Sequence, residues 1–138
     1  MANILIASDA PWIHEDVKAA LGQPGAIFRS VKTGQLAVSE CKSDAPDLAV
    51  IDLQIGNMGG FAVCHELRLM QSVNAIGHIP VLLLLDREAD LFIAQRSQAD
   101  GWLVKPLDAF RLRKAGMAIL AGGTFYGESA VTPEVVAS

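Results

Sequence analysis

Asp47-Leu48-Ala49-Val50-Ile51-Asp52-Leu53-Gln54-Ile55-Gly56-Asn57-Met58-Gly59-Gly60-Phe61 is the stretch on which the reading of the chain turns. An apolar run of strand length ends on a carboxylate and then breaks into a glycine-rich loop. A strand of a parallel sheet is covered on both faces and reads as a continuous Val/Ile/Leu run, and groups at its carboxyl end project into the crevice where open α/β sheets bind ligands. A carboxylate inside such a run would be costly to bury, whereas at its end Asp52 can be part-solvated and still rigidly held, which suits a nucleophile or a metal ligand. The plain alternative is a strand-ending Asp that opens a turn, which Asn57, Gly59 and Gly60 would equally support.

The same alternation extends outward in both directions. Asn3 to Ala7 is a short apolar run ending at Ser8-Asp9, and Pro11 opens a helical pattern carried by Ile13, Val17, Ala20 and Leu21. After the Gln23-Pro24-Gly25 turn, a strand over Ala26 to Val31 leads to a second helix, with Thr33 the better candidate for its cap. Phe61, Val63, Cys64, Leu67 and Met70 mark a third helix. Pro80 introduces Val81-Leu82-Leu83-Leu84-Leu85, the most apolar segment, which stops at Asp86-Arg87-Glu88. A fourth helix is expected through Leu91, Phe92, Ala94, Gln95 and Ala99, then a strand over Gly101 to Val104, and after Lys105-Pro106 a helix from about Asp108 to Leu120. Strand then helix, five times over, predicts an α/β fold with a five-stranded parallel, doubly wound sheet and right-handed crossovers. Ala121-Gly122-Gly123-Thr124 to Ser138 reads as a tail rather than an element.

The 138 residues, 51% of them hydrophobic, suffice for one core and leave no room for a second domain. A formal charge of -4 without a Lys/Arg cluster argues against direct nucleic-acid binding. The apolar runs are too short to cross a membrane and the amino terminus lacks a signal-peptide pattern, so the expected location is the cytoplasm. Cys41 and Cys64, with no CxxC spacing, read as buried or semi-buried thiols rather than a disulfide or a zinc site. No GxGxxG or Walker-type loop is present.

The first strand ending in Asp9, the Asp47-to-Phe61 stretch with Gly60-Phe61, the Ile79-Pro80-Val81 entry to the fourth strand and Ala99-Asp100-Gly101-Trp102-Leu103-Val104-Lys105-Pro106 stand in the order and register of a known family. Over roughly residues 2 to 121 the chain resembles the receiver domain of two-component response regulators. The resemblance implies a flavodoxin-like (CheY-like) three-layer sandwich over residues 1–121, followed by a tail over 122–138 without an output domain. It implies a non-enzymatic, single-domain signalling protein. Asp52 would be the phosphoacceptor, Lys105 the lysine that pairs with the phosphoryl group, and Asp9, Asp52 and the Gln54 backbone carbonyl the ligands of Mg²⁺. The implied partners are a histidine kinase or phosphotransfer protein, a downstream protein target and a second copy of the chain, with no membrane and no direct nucleic acid. These roles fit the chemistry, because attack on a phosphorus ringed by anionic oxygens needs a cation and an ammonium to neutralise the developing charge.

The departures from the family pattern are equally specific. Ser8 stands where a second acid is usual, which removes one negative charge and predicts weaker Mg²⁺ binding. Leu85 replaces the Thr or Ser whose hydroxyl bonds the phosphoryl oxygen; leucine cannot donate that bond and its bulk should resist an inward shift. Trp102 replaces the Tyr or Phe whose rotamer follows the switch, and is read either as a movable indole or as a fixed packing residue. Gln54 and Arg87 occupy positions expected to govern water access, and Arg87 is a candidate to pair with the phosphoryl group or with Asp52 itself. Leu91, Phe92, Trp102, Phe110, Arg111 and Arg113 are candidates for a docking face, with Phe125 and Tyr126 of the tail either packing back or engaging a partner. The alternative to a working regulator is a receiver-like interaction module that binds partners without phosphorylation.

Overall fold

The computed structural model describes residues 2–126, and residues 127–138 of the expected tail lie outside the described part. The elements follow in the order β1 (Asn3–Ala7), α1 (Pro11–Leu21), β2 (Ile27–Val31), α2 (Gly34–Ser43), β3 (Leu48–Asp52), α3 (Gly60–Ser72), β4 (Val81–Leu85), α4 (Leu91–Arg96), β5 (Gly101–Val104), α5 (Ala109–Leu120) and β6 (Phe125–Tyr126), with a single 3-10 turn at Glu88–Asp90 before α4. The strands form one sheet in the order β2-β1-β3-β4-β5-β6, and every pair is parallel.

Local chemistry sets the boundaries. Pro11 sits in the first turn of α1, where its missing N–H costs nothing. Thr33 caps α2 by accepting from Leu36 N at 3.2 Å, and Asp108 caps α5 by accepting from Phe110 N at 2.8 Å. The strands β3, apolar up to its terminal Asp52, and β4, apolar throughout, lie in the middle of the sheet and are buried along their whole length. Alternate residues then feed two cores. Ala49, Ile51, Leu83, Leu85 and Trp102 pack with Val63, Cys64 and Leu67 of α3, whereas Val50, Leu82, Leu84 and Leu103 pack with Ile13 and Val17 of α1 and Leu112 and Ile119 of α5. Helices on both faces of a parallel sheet make the three layers the alternating pattern predicts.

Two differences from the sequence reading concern the end of the chain and the fourth helix. Five strands were expected and the sheet has six, because Phe125 and Tyr126 pair with Gly101 and Trp102. Phe125 N donates to Asp100 O at 3.0 Å, and Gly101 makes room for the added strand, since a Cβ there would run into the Phe125 carbonyl. A two-residue strand has too few positions to show a period, so composition alone reads it as tail. The fourth helix stops at Arg96, short of the expected Ala99, with Gln98 at a left-handed φ of 64°. Both cysteines are free and buried, and among the described residues no helix is long and apolar enough to cross a membrane.

Candidate functional site

Four loops meet at the carboxyl ends of β1, β3, β4 and β5, and the backbone that holds them close is specific. Gly60 begins α3 directly beneath the end of β3, where a Cβ would come within 2.7 Å of the Asp52 carbonyl oxygen. Gly34 N donates to Gly56 O at 3.1 Å, fixing the β3–α3 loop against the start of α2. These contacts leave Asp52 at the mouth of the sheet with 3% exposure.

Both oxygens of the Asp52 carboxylate are engaged. Oδ1 accepts from Lys105 Nζ at 2.8 Å and from Gln54 N at 3.1 Å, while Oδ2 accepts from the Ser8 hydroxyl at 2.8 Å. Ser8 is fully buried and its oxygen also accepts from Ala10 N at 3.0 Å. His14 Nε2 donates to the Ser8 carbonyl at 2.7 Å and so ties α1 to the loop that carries Ser8. Lys105 Nζ also donates to Asp86 Oδ1 at 2.7 Å, so one ammonium bridges two carboxylates. Burial by itself would push the Lys105 ammonium down, but hydrogen bonds and charge attraction from Asp52 and Asp86 outweigh it and leave the group above its ordinary value. Lysine is therefore fully charged at neutral pH and is available to an incoming anion.

Asp9 is exposed, and its carboxylate reaches toward the β3–α3 loop, where a Cβ on Gly56 would stand 3.3 Å from Oδ2. Asp9 follows the carboxyl end of β1 and Asp52 ends β3, the strand paired beside it. Among the described residues no group of three or more His, Cys, Asp and Glu side chains could hold a metal by itself. Two carboxylates and loop carbonyls fit a hard cation that keeps several waters and shares a phosphoryl oxygen, the habit of Mg²⁺ in phosphoryl-transfer sites, and do not fit a closed all-protein cage.

The neighbouring strand β4 ends on an apolar side chain. Leu85 is wholly buried in the core formed with Ile51, Leu83 and Trp102. Trp102 is 7% exposed and lies on Tyr126 with ring centroids 4.4 Å apart, in the packing position rather than a free one. Arg87 points away: its side chain is 76% exposed and its Nε lies 3.6 Å from Asp90 Oδ1, so the expected pairing with Asp52 is not formed. A solvated guanidinium next to a nearer acid has no reason to cross the pocket.

Asp86 and Asp90 are the site residues the sequence did not bring forward. Asp90 is buried and its Oδ2 accepts from Asp86 N and Arg87 N at 3.1 and 3.2 Å, shaping the β4–α4 loop that presents Asp86 to Lys105. The signal was a carboxylate directly after an apolar run, the same signal that marked Asp52. Of the candidate docking residues, Phe92 and Phe110 are well exposed, Leu91 packs on the core, and Arg113 donates to Ala20 O at 3.2 Å. Arg96 covers the Phe92 ring at 3.9 Å.

Comparison with known proteins points one way. The family model for the response regulator receiver domain matches residues 4–116. The chain is 30% identical over 124 residues to protein PilH of Pseudomonas aeruginosa, covering 88% of this chain and all of that protein. It is 29% identical over 139 residues to the nitrate/nitrite response regulator NarL of Escherichia coli, spanning 99% of this chain but 62% of that longer protein. Among solved structures, the signal receiver domain of a histidine kinase from Syntrophus aciditrophicus superposes with a TM-score of 0.75 at 28% identity, covering 88% of this chain and 92% of that one. The chemotaxis response regulator CheY4 of Vibrio cholerae gives 0.74 at 26% identity, covering 85% and 97%.

Proposed function

The chain belongs to the family of response regulator receiver domains, and from that premise we propose that it accepts a phosphoryl group on Asp52 from a histidine kinase or phosphotransfer protein and signals through protein contacts. The observation that carries this reading is the buried Asp52 carboxylate held 2.8 Å from Lys105 Nζ at the mouth of a parallel sheet. In the transfer, a carboxylate oxygen of Asp52 forms a bond to phosphorus as the phosphorus–nitrogen bond of a donor phosphohistidine breaks. The bonding pair leaves with the imidazole, which takes up a proton. Lys105 meets the phosphoryl oxygens as charge builds on them, which is where a fixed ammonium lowers the barrier most. Ser8 donates to Oδ2 and Gln54 N to Oδ1, which together hold the carboxylate in one rotamer beside Lys105. Asp9, Asp52 and the Gln54 carbonyl would hold Mg²⁺, which supplies charge neutralisation at the phosphoryl oxygens when bound.

A second reading has a specific observation in its favour. With Leu85 buried in the core and Trp102 packed against the tilted ring of Tyr126, the parts that follow phosphorylation in the family pattern are packed in place, which favours partner contacts that do not depend on Asp52. Intact-mass analysis after treatment with acetyl phosphate and Mg²⁺ decides between them. The first reading expects one added phosphoryl group, absent from Asp52→Asn. An unmodified mass for the wild type under conditions that phosphorylate a control receiver would overturn it and leave the second.

A further inference from the structure

Lys105 serves two masters in this pocket. Its Nζ donates at 2.8 Å to Asp52 and at 2.7 Å to Asp86, so two carboxylates face each other across one ammonium. Asp52 is buried and fixed by two further donors, Ser8 and Gln54 N. Asp86 has 37% of its side chain exposed and belongs to a loop of exposed residues, Asp86 to Ala89, hinged on buried Asp90. The two acids are therefore not equivalent: one is rigid and one can leave.

We propose that Asp86 is the residue through which this pocket reports the charge on Asp52, taking the place of the hydroxyl that Leu85 lacks. The inference rests on Asp52 being the phosphoryl acceptor. A phosphoryl group carries close to two negative charges at neutral pH and offers several strong acceptor oxygens. Lys105 then turns fully to those oxygens, because a charge-assisted bond to a dianion exceeds one to a part-solvated carboxylate. Asp86 loses its counter-ion at the moment a second negative charge arrives beside it, and like charges at this spacing repel. The strand cannot yield, since Leu85 is locked into the core and Lys105 N donates to Leu85 O at 2.8 Å. The loop can, so Asp86 swings toward solvent and carries Arg87 and Glu88, next to α4, with it. In this mechanism the switch pushes outward by charge, where a hydroxyl would pull inward by a hydrogen bond.

The test compares wild type, Asp86→Asn and Asp86→Glu by amide-resolved NMR, titrating with beryllofluoride and Mg²⁺. Acetyl phosphate labelling of each is followed by intact mass. Asp86→Asn keeps the size and the acceptor but removes the charge. It should bind beryllofluoride several-fold more tightly than wild type, because a neutral amide oxygen competes for Lys105 less than a carboxylate does, and the amide shifts at residues 86–90 should fall to a minor fraction of the wild-type change. Asp86→Glu should restore both the weaker binding and the loop shifts, which a residue of merely structural importance would not do. Equal affinity and equal loop shifts in wild type and Asp86→Asn would overturn the inference while leaving Asp52 as acceptor. Absence of labelling and of beryllofluoride binding in all three proteins would instead overturn the acceptor reading, and the inference with it.

Discussion

Asp52 and Leu85 close neighbouring strands, and Asp52 lies opposite Leu84 in the register of β3 and β4, yet the two ends of the pocket are built on different principles. Around Asp52 every oxygen is matched to a donor, Lys105 is shared with a second acid, and the loops that bring Ser8, Asp9 and Gln54 are polar. Around Leu85 the surroundings are Ile51, Leu83 and Trp102, and Tyr126 covers the indole from the added strand. The first arrangement can bind and neutralise an anion. The second can only pack. In this chain the groups that can meet an anion and the packed wall beside them rest on different strands and on different forces.

The sharpest way to break the comparison is at the acceptor. Asp52→Asn should remove all phosphoryl uptake by intact mass while the circular dichroism spectrum and melting transition stay close to wild type, since Lys105 retains Asp86. Retained uptake would place the acceptor elsewhere. The packing half should fail by stability instead: Leu85→Ala leaves a cavity in a filled core and is expected to cost about 2–5 kcal/mol by urea denaturation, with phosphoryl uptake preserved in the folded protein. Leu85→Thr sharpens the contrast, because it supplies the absent hydroxyl at a cost of roughly 1–3 kcal/mol for burying it where Leu85 packs.

The ion pair gives a smaller effect with a defined pH signature. Lys105→Met removes charged hydrogen bonds worth roughly 1.5–3 kcal/mol at neutral pH. Because Lys105 is raised above its ordinary 10.5 in the fold, its contribution is fully present below that pH and is lost as pH rises through the higher folded value. Wild type and Lys105→Met should accordingly converge in stability only in strongly alkaline solution, and parallel curves there would contradict the account. Burial lifts the thiols of Cys41 and Cys64 to about 11, so neither should react appreciably with a thiol reagent at pH 8 until the protein unfolds. At the small end, Tyr126→Ala removes an aromatic pair worth about 0.5–1.5 kcal/mol and should shift Trp102 emission to the red as water reaches the indole.

The sequence was most legible where burial dictates composition. Val81 to Leu85 and Leu48 to Ile51 could hardly be anything but inner strands, and a carboxylate at the end of such a run marked Asp52 at once. Thr33 and Pro11 were readable because capping and the first helical turn have fixed chemical preferences. Asp86 carried the same strand-end signal as Asp52, but its role depends on Lys105 Nζ reaching it across 19 residues of chain, which no local pattern encodes. Arg87 lies beside Asp90 for the same kind of reason, a proximity that only the fold reveals. Packing back of Phe125 and Tyr126 is one of the two readings the sequence allows, but their strand is not, because two residues have no period and their pairing is recorded one strand away, in the glycine at position 101.

A bound phosphoryl group is expected to move the side around Asp52 and to leave the packed side around Leu85 in place. Its most direct test is the indole N–H resonance of Trp102, assigned by substitution of Trp12, followed by NMR as beryllofluoride and Mg²⁺ fill the site. The account predicts large shifts for the amides of Ser8, Asp9, Gln54 and the loop at 86–90, with the Trp102 indole essentially unmoved. An indole that shifts in step with the acceptor loops would contradict it, because Trp102 and Leu85 would then be moving parts of the switch rather than its fixed wall.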